Sequence, residues 1–336
     1  MQQIISKVVN SENLSREEAR SAMNAIMDGQ ASDAQIAGFL VGLKQKGETV
    51  DEIAGFVEAM RGHMIRVKID DKDAIDGVGT GGDGSHTFNI TTAAALVTAA
   101  AGVTVAKHGN RSISSKCGSA DLLEATGGNI DPGPERVAEC INKVGFGFMF
   151  APRFHSAMKH AAEPRRELGL RTAFNILGPM TNPAGVKRQV TGVYDRSLMP
   201  LVADVLKATG SEHVVVLHSR DGLDEFSVAA PTDYMELKNN RITSHVMEPT
   251  DVGLAYHDQD QLTGGDAEAN HKTLNDVLAG IEGACLDAVL LNAGAFIYTG
   301  GKAESMAEGV EQAREAVASG SAADLLDRWV RMSNNR

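Results

Sequence analysis

From Met1 to about position 68, apolar residues recur every three to four places, the spacing of helices with one buried face. Three of these runs open on a hydroxyl residue followed three places later by a side chain that can cap back: Ser15 with Glu18, Ser32 with Gln35, and Thr49 with Glu52. Gly29 and Gly47 fall where the second and third runs give out, where a left-handed residue ends a helix at little cost. A shorter amphipathic helix is expected within residues 1–15. The pattern predicts a small helical lobe, and its stripe of Ile36, Phe39, Leu40 and Leu43 reads as core or as a dimer contact.

From Ala74 the pattern changes to short β-branched runs that end in glycine and give way to helical stretches, as in strand-loop-helix units of a parallel sheet. Strands are expected at 74–78, 103–106, 146–150, 189–194 and 214–218, and helices at 92–101, 119–125, 134–143 and 198–208. Runs at 234–237 and 242–246 flank Asn239-Asn240 as a hairpin. Later helices are expected at 272–281, 303–318 and 322–332. The fold class is therefore α/β: a small N-terminal helical domain, residues 1–68, and a larger α/β domain, 69–336, with a mostly parallel central sheet. Neither an internal repeat nor a low-complexity linker interrupts it.

Composition narrows the partners. With 43% hydrophobic and 23% charged residues the chain can bury a sizeable core throughout. A net charge of −12 argues against long polyanions, which need an extended basic surface, but leaves room for a small phosphorylated ligand held by backbone amides. Cys117, Cys140 and Cys285 are too scattered for a disulfide framework or a zinc site, which suggests a reducing compartment. The N-terminus lacks the pattern of an export signal, and the longest apolar stretch, 93–103, is too short to span a bilayer of roughly 30 Å. A cytoplasmic location is expected.

Candidate chemistry gathers where strands are expected to end. After the first comes Gly79-Thr80-Gly81-Gly82-Asp83-Gly84-Ser85, whose glycines let backbone N–H groups turn towards an anion. Its spacing matches neither the dinucleotide fingerprint nor the Walker loop, and by itself it fits a tight turn as well as a phosphate cradle. Asp83 would repel a phosphate unless a sugar hydroxyl or a hydrated metal intervenes. Asn89-Ile90-Thr91-Thr92 follows at a helix start, a place for a plain N-cap or for a phosphate or magnesium contact. Beyond the second strand lies Lys107-His108-Gly109-Asn110-Arg111, continuing to Gly118-Ser119-Ala120-Asp121. In a parallel sheet this basic loop should face the glycine loop across a crevice. Asp224-Glu225, after another strand, reads as an acidic turn or as oxygen ligands for magnesium. Among Arg165, Arg166 and Arg171, one could grip a carboxylate, although surface ion pairing is the commoner fate.

In this order, and over nearly the whole chain, these segments resemble the anthranilate phosphoribosyltransferases. The resemblance implies a nucleoside phosphorylase/phosphoribosyltransferase-like fold in which a segment of about 160–182 packs with the helical domain, and a homodimer formed through the helical lobes. It implies transfer of the phosphoribosyl group from phosphoribosyl pyrophosphate to the amine of anthranilate, in tryptophan biosynthesis, with Mg2+. Gly79, Gly82, Asp83, Thr87, Asn89, Thr91, Thr92, Lys107, Ser115 and Ser119 would hold phosphoribosyl pyrophosphate. Thr91, Asp224 and Glu225 would serve magnesium, while Gly79, Asn110 and Arg165 would contact anthranilate. The family usually has serine where this chain has Thr91 and Cys117: threonine keeps the hydroxyl and adds a methyl, whereas cysteine gives up a good donor. No covalent or acid/base residue is needed, because the amine is already a nucleophile and the enzyme has to position two substrates and stabilise the departing pyrophosphate. The rivals are a pyrimidine nucleoside phosphorylase-like enzyme and a non-catalytic relative that binds nucleic acid; the net charge and the intact glycine loop oppose the second.

Overall fold

The computed structural model describes residues 1–112 and 116–335. Four helices come first: α1 (Gln2–Val9), α2 (Arg16–Met27), α3 (Asp33–Lys46) and α4 (Val50–His63). All three expected capping boxes form, each hydroxyl accepting from the backbone three residues on while that residue's side chain accepts from the cap's own N–H. Gly29 and Gly47 turn left-handed at φ 70° and 86° behind α2 and α3. The first helix stops at Val9, and Ser11 at φ 62° turns the chain away from it.

The second part runs β1 (Ile75–Gly79), α5 (Ile90–Ala100), β2 (Val105–Gly109), α6 (Ser119–Ala125), α7 (Pro134–Val144), β3 (Phe146–Phe150), α8 (Ala151–Phe154), α9 (Lys159–Leu168) and α10 (Phe174–Leu177). It continues through β4 (Arg188–Gly192), α11 (Met199–Ala208), β5 (His213–Ser219), β6 (Thr232–Lys238), β7 (Arg241–Met247), α12 (Ala267–Leu278), α13 (Ala284–Thr299), α14 (Met306–Ala318) and α15 (Ser321–Ser333). Among the described residues seven strands form one sheet in the order β3-β2-β1-β4-β5-β6-β7. The first five are parallel, and β6 and β7 add an antiparallel edge joined by the left-handed pair Asn239-Asn240. No helix among the described residues is long and apolar enough to cross a membrane.

Several expected boundaries move. The strand expected at 103–106 runs instead through Val105–Gly109, so Lys107 and His108 lie inside β2 rather than in a loop beyond it. The helix expected from 272 begins at Ala267, capped by the Asp266 side chain, and the one expected from 303 begins at Met306, capped by Ser305. Helix α13 has no counterpart in the periodicity, because nearly every one of its positions is buried and it shows no polar face.

Residues on β5 alternate between two cores. Val215 and Leu217 join α5, α13, α14 and α15 on one face; Val214 and Val216 join α11 and the N-terminal helices on the other. Burial on both faces is what parallel strands require. The second core also takes in Ala161, Ala173, Phe174, Ile176, Leu177 and Met180, so apolar packing runs without a break from the helical lobe through 161–180 to α11.

Candidate active site

Strand order reverses between β1 and β4, the place in an open parallel sheet where a crevice forms outside the carboxyl ends. There Gly79 pairs with Gly192. The glycine loop beyond β1 is fastened on several sides. Thr80 donates its N–H to Gly192 O (3.0 Å), and its hydroxyl accepts from Tyr194 N (2.9 Å). Gly81 N donates to Asp224 Oδ2 (2.8 Å), and Arg171, whose guanidinium lies 4.0 Å over the Tyr194 ring, donates to Gly82 O. Gly79 is glycine for lack of room: a Cβ there would sit 2.4 Å from Asp224 Oδ2.

Asp224 and Glu225 leave the end of β5 and face the start of α5. Glu225 Oε1 accepts from Thr91 N (3.2 Å) and from the Thr91 hydroxyl. Burial, with the charge of Asp83 adding to it, raises Asp224 to about 6; burial and then Asp224 raise Glu225 to about 8. Two neighbouring carboxylates, each only partly open to water, favour a cation. Lys107 supplies part of the charge, but burial lowers the pKa of its ammonium, with Asp76 and Glu225 acting the other way. Carboxylates and a hydroxyl suit a hard, oxygen-seeking ion such as Mg2+. Among the described residues no three His, Cys, Asp or Glu side chains converge tightly enough to cage a metal by themselves. Such an ion would therefore share water and the oxygens of a ligand.

Asp76 was missed in the sequence. It lies fully buried in β1, accepting from Asn182 Nδ2 (2.7 Å) and His108 N (3.2 Å), and burial raises it to about 6. Its neighbour Lys107, 3% exposed, donates to Gly77 O (2.8 Å). A lone acid inside an apolar strand was the available signal. His108 and His155 lie with ring centroids 5.0 Å apart, both kept neutral by burial, His155 at about 4.

At the start of α5, Thr92 is buried and Thr87 bridges to Thr263 on the segment before α12. Asn89 donates from Nδ2 to Cys117 O (3.1 Å). Cys117 is a buried thiol raised to about 11 by burial, its sulfur 3.6 Å from Gly118 O. Ser119 opens α6 and donates to Asn110 O (3.2 Å). Ser115 lies outside the described residues. Of the arginines, Arg166 is ion-paired with Glu163, whereas Arg165 has no ion-pair partner among the described residues. Its guanidinium lies 5.1 Å over the Phe174 ring, and burial lowers its pKa. Hydrogen bonds and charge thus join Gly81, Asp83, Thr91, Lys107, Asp224 and Glu225 into one group, with Gly79 packed against Asp224 and Gly82 tied in by the glycine loop. Asn89, Asn110 and Ser119 stand around the Cys117–Ser119 turn, and Arg165 sits apart on α9.

Residues 2–64 match the glycosyl transferase family, helical bundle domain, and residues 71–323 the glycosyl transferase family, a/b domain. An anthranilate phosphoribosyltransferase from Alkaliphilus metalliredigens is 49% identical over 333 residues, 99% of this chain and 98% of that one. One from Thioalkalivibrio sulfidiphilus is 51% identical over 98% of each. The crystal structure of the enzyme of that name from Thermus thermophilus superposes with TM-score 0.94 at 43% identity, covering 98% of this chain and 99% of that one. One from Saccharomyces cerevisiae, in complex with phosphoribosyl pyrophosphate and magnesium, superposes with TM-score 0.90 at 26% identity, covering 100% and 98%.

Proposed function

We propose, of a chain that belongs to the anthranilate phosphoribosyltransferases within the glycosyl transferase family, that its crevice transfers the phosphoribosyl group of phosphoribosyl pyrophosphate to the amino group of anthranilate. One observation carries this reading: a half-buried carboxylate pair bonded to the glycine loop and to the start of α5, beside a buried lysine. Such a pair suits a doubly phosphorylated sugar that arrives with a divalent ion.

The amine attacks the anomeric carbon while the bond to pyrophosphate breaks, the electron pair leaving on the pyrophosphate, and the nitrogen then gives its extra proton to water. Backbone N–H groups of the glycine loop and the Lys107 ammonium hold the phosphates, and the start of α5 adds the positive end of a helix dipole. Asp224, Glu225 and the Thr91 hydroxyl would hold Mg2+, which when bound offsets the charge that develops on the leaving group. Asp83, Thr87, Asn89, Thr92, Ser115 and Ser119 complete the donor site with Gly79 and Gly82. Arg165, the unpaired half-buried cation, grips the anthranilate carboxylate, with Asn110 and Gly79 along the ring.

Residues 1–68 with about 160–182 make up one lobe and the rest of 69–336 the other, with the crevice between them. Val9 and Val41, 65% and 42% exposed on the paired helices α1 and α3, support a homodimer through the helical lobe. The three free cysteines support a reducing, cytoplasmic setting. The test is direct: protein, anthranilate, phosphoribosyl pyrophosphate and Mg2+ are mixed and loss of anthranilate fluorescence is followed. A folded protein that leaves the fluorescence unchanged defeats the reading.

A further inference from the structure

Asn89 stands at the N-cap of α5, yet its side chain makes no capping bond. It is turned instead towards Asn270 on α12. Asn270 is 1% exposed, and all its hydrogen-bonding capacity is committed. Its Nδ2 donates to Gly265 O (2.9 Å) and Asp266 O (3.0 Å), and its Oδ1 accepts from Asn89 N (3.0 Å) and Asn89 Nδ2 (3.2 Å). The orientation is forced, because a flipped Asn270 amide would set its oxygen against two carbonyl oxygens and its nitrogen against the Asn89 N–H.

The same logic then fixes Asn89. Its Nδ2 has two hydrogens, one directed at Asn270 Oδ1 and one at Cys117 O (3.1 Å). With both committed to the protein, the atom Asn89 has left for a ligand is its carbonyl oxygen, an acceptor. An acceptor pairs with a hydroxyl and is repelled by a fully ionised phosphate.

The segment that carries Asn270 is itself paired to the donor loop. Phe88 N donates to Leu262 O and Gly264 N to His86 O, both at 2.9 Å. Gly264 lies so close that a Cβ on it would come 2.6 Å from Thr87 O.

We infer that Asn270 is a positioning residue that sets the Asn89 carbonyl as an acceptor for a sugar hydroxyl of the donor, so that this pair reads the ribose and not the phosphates. The inference rests on the reading of the crevice as a phosphoribosyl pyrophosphate site.

The test compares two ligands in Asn89→Ala, Asn270→Ala and the double variant: phosphoribosyl pyrophosphate, through its KM, and inorganic pyrophosphate, through its inhibition constant. One hydrogen bond to an uncharged hydroxyl corresponds to an increase of about 5- to 10-fold in the KM of the sugar donor. Inhibition by pyrophosphate, which has no sugar, should stay within about twofold, and the double variant should be no worse than the worse single one. If Asn270→Ala does not fold, Asn270→Ser, too short to reach Asn89, takes its place in the same comparison. Equal weakening of both ligands, or penalties that multiply in the double variant, overturns the inference. No effect of Asn89→Ala on the sugar donor removes Asn89 from the donor site and defeats the inference, while activity in the fluorescence assay would still uphold the function.

Discussion

Gly192 binds nothing in the mechanism, yet replacing it by alanine should disable the enzyme. It ends β4 beside Gly79, and a Cβ built on it would lie 1.6 Å from the backbone oxygen of Asp224. Ordinary contact between such atoms is about 3.5 Å, so one of the two must retreat by roughly 2 Å. Gly192 is held in the parallel ladder with β1 and β5, whereas Asp224 sits in the turn beyond β5. The turn should therefore yield, carrying the Asp224 and Glu225 carboxylates away from Gly81 and Thr91. A displacement of about 1 Å at a catalytic constellation can cost about 100-fold in rate, so Gly192→Ala should lose at least that in kcat. The overpacking itself should cost about 1–3 kcal/mol of stability. Steady-state rates from anthranilate fluorescence at several Mg2+ concentrations, with a melting curve on the same preparation, separate the two effects. A folded variant with kcat within about threefold of the parent, and unchanged dependence on Mg2+, would refute the reasoning.

Other expectations follow from particular contacts. Arg165→Ala should raise the KM for anthranilate about 10-fold or more while that for phosphoribosyl pyrophosphate stays nearly constant, since a charge-assisted bond is worth about 1.5–3 kcal/mol; parallel changes in both constants would count against its role. Asp224 and Glu225 are raised to about 6 and about 8, so the folded metal-free protein holds protons that the unfolded chain gives up. Its stability should therefore decline as pH rises from about 4 through 8, while Mg2+ binds more tightly over the same window; a titration of Mg2+ dependence that is flat from pH 6 to 9 contradicts this. Asp76→Ala removes the acceptor for Asn182 and His108 N and the charge beside Lys107, and should destabilise the protein by about 3 kcal/mol in a denaturant titration. Thr91→Ser keeps the bond to Glu225 and should leave the rate near the parent value, whereas Thr91→Val should weaken Mg2+ dependence; equal rates for the two would mean the hydroxyl is idle.

Much of this architecture was legible because it is locally encoded. Capping boxes, left-handed glycines and the Asn239-Asn240 turn declare themselves within a few residues. The parallel strands of β1, β3 and β5 were visible as apolar runs. What escaped was set by distant packing. Helix α13 lacks a polar face because it is enclosed, and periodicity reads only partly exposed helices. Lys107 was placed in a loop because a lysine rarely lies inside a strand, and nothing nearby in sequence announces the Gly77 carbonyl and Asp76 that make its burial tolerable. Asn270 carried no local signal at all, since its partner is on another helix. Arg165 and Arg166 look alike in residue type and spacing, so the resemblance alone singled out Arg165; in the structure the ion pair of Arg166 with Glu163 and the burial of Arg165 over Phe174 part them.

The bonds that shape the crevice span long stretches of chain: Gly81 to Asp224 is 143 residues, Thr91 to Glu225 is 134, and Asn89 to Asn270 is 181. Closing loops of that length comes late in folding, after local helices and neighbouring strands have formed. A ribosome-bound chain that has emerged only as far as β4 would already own the glycine loop and still have no grip on its ligand. Competence to bind thus requires the chain to have been made and packed at least as far as Asn270, which makes occupancy of the crevice a sensitive report that the α/β layer has closed.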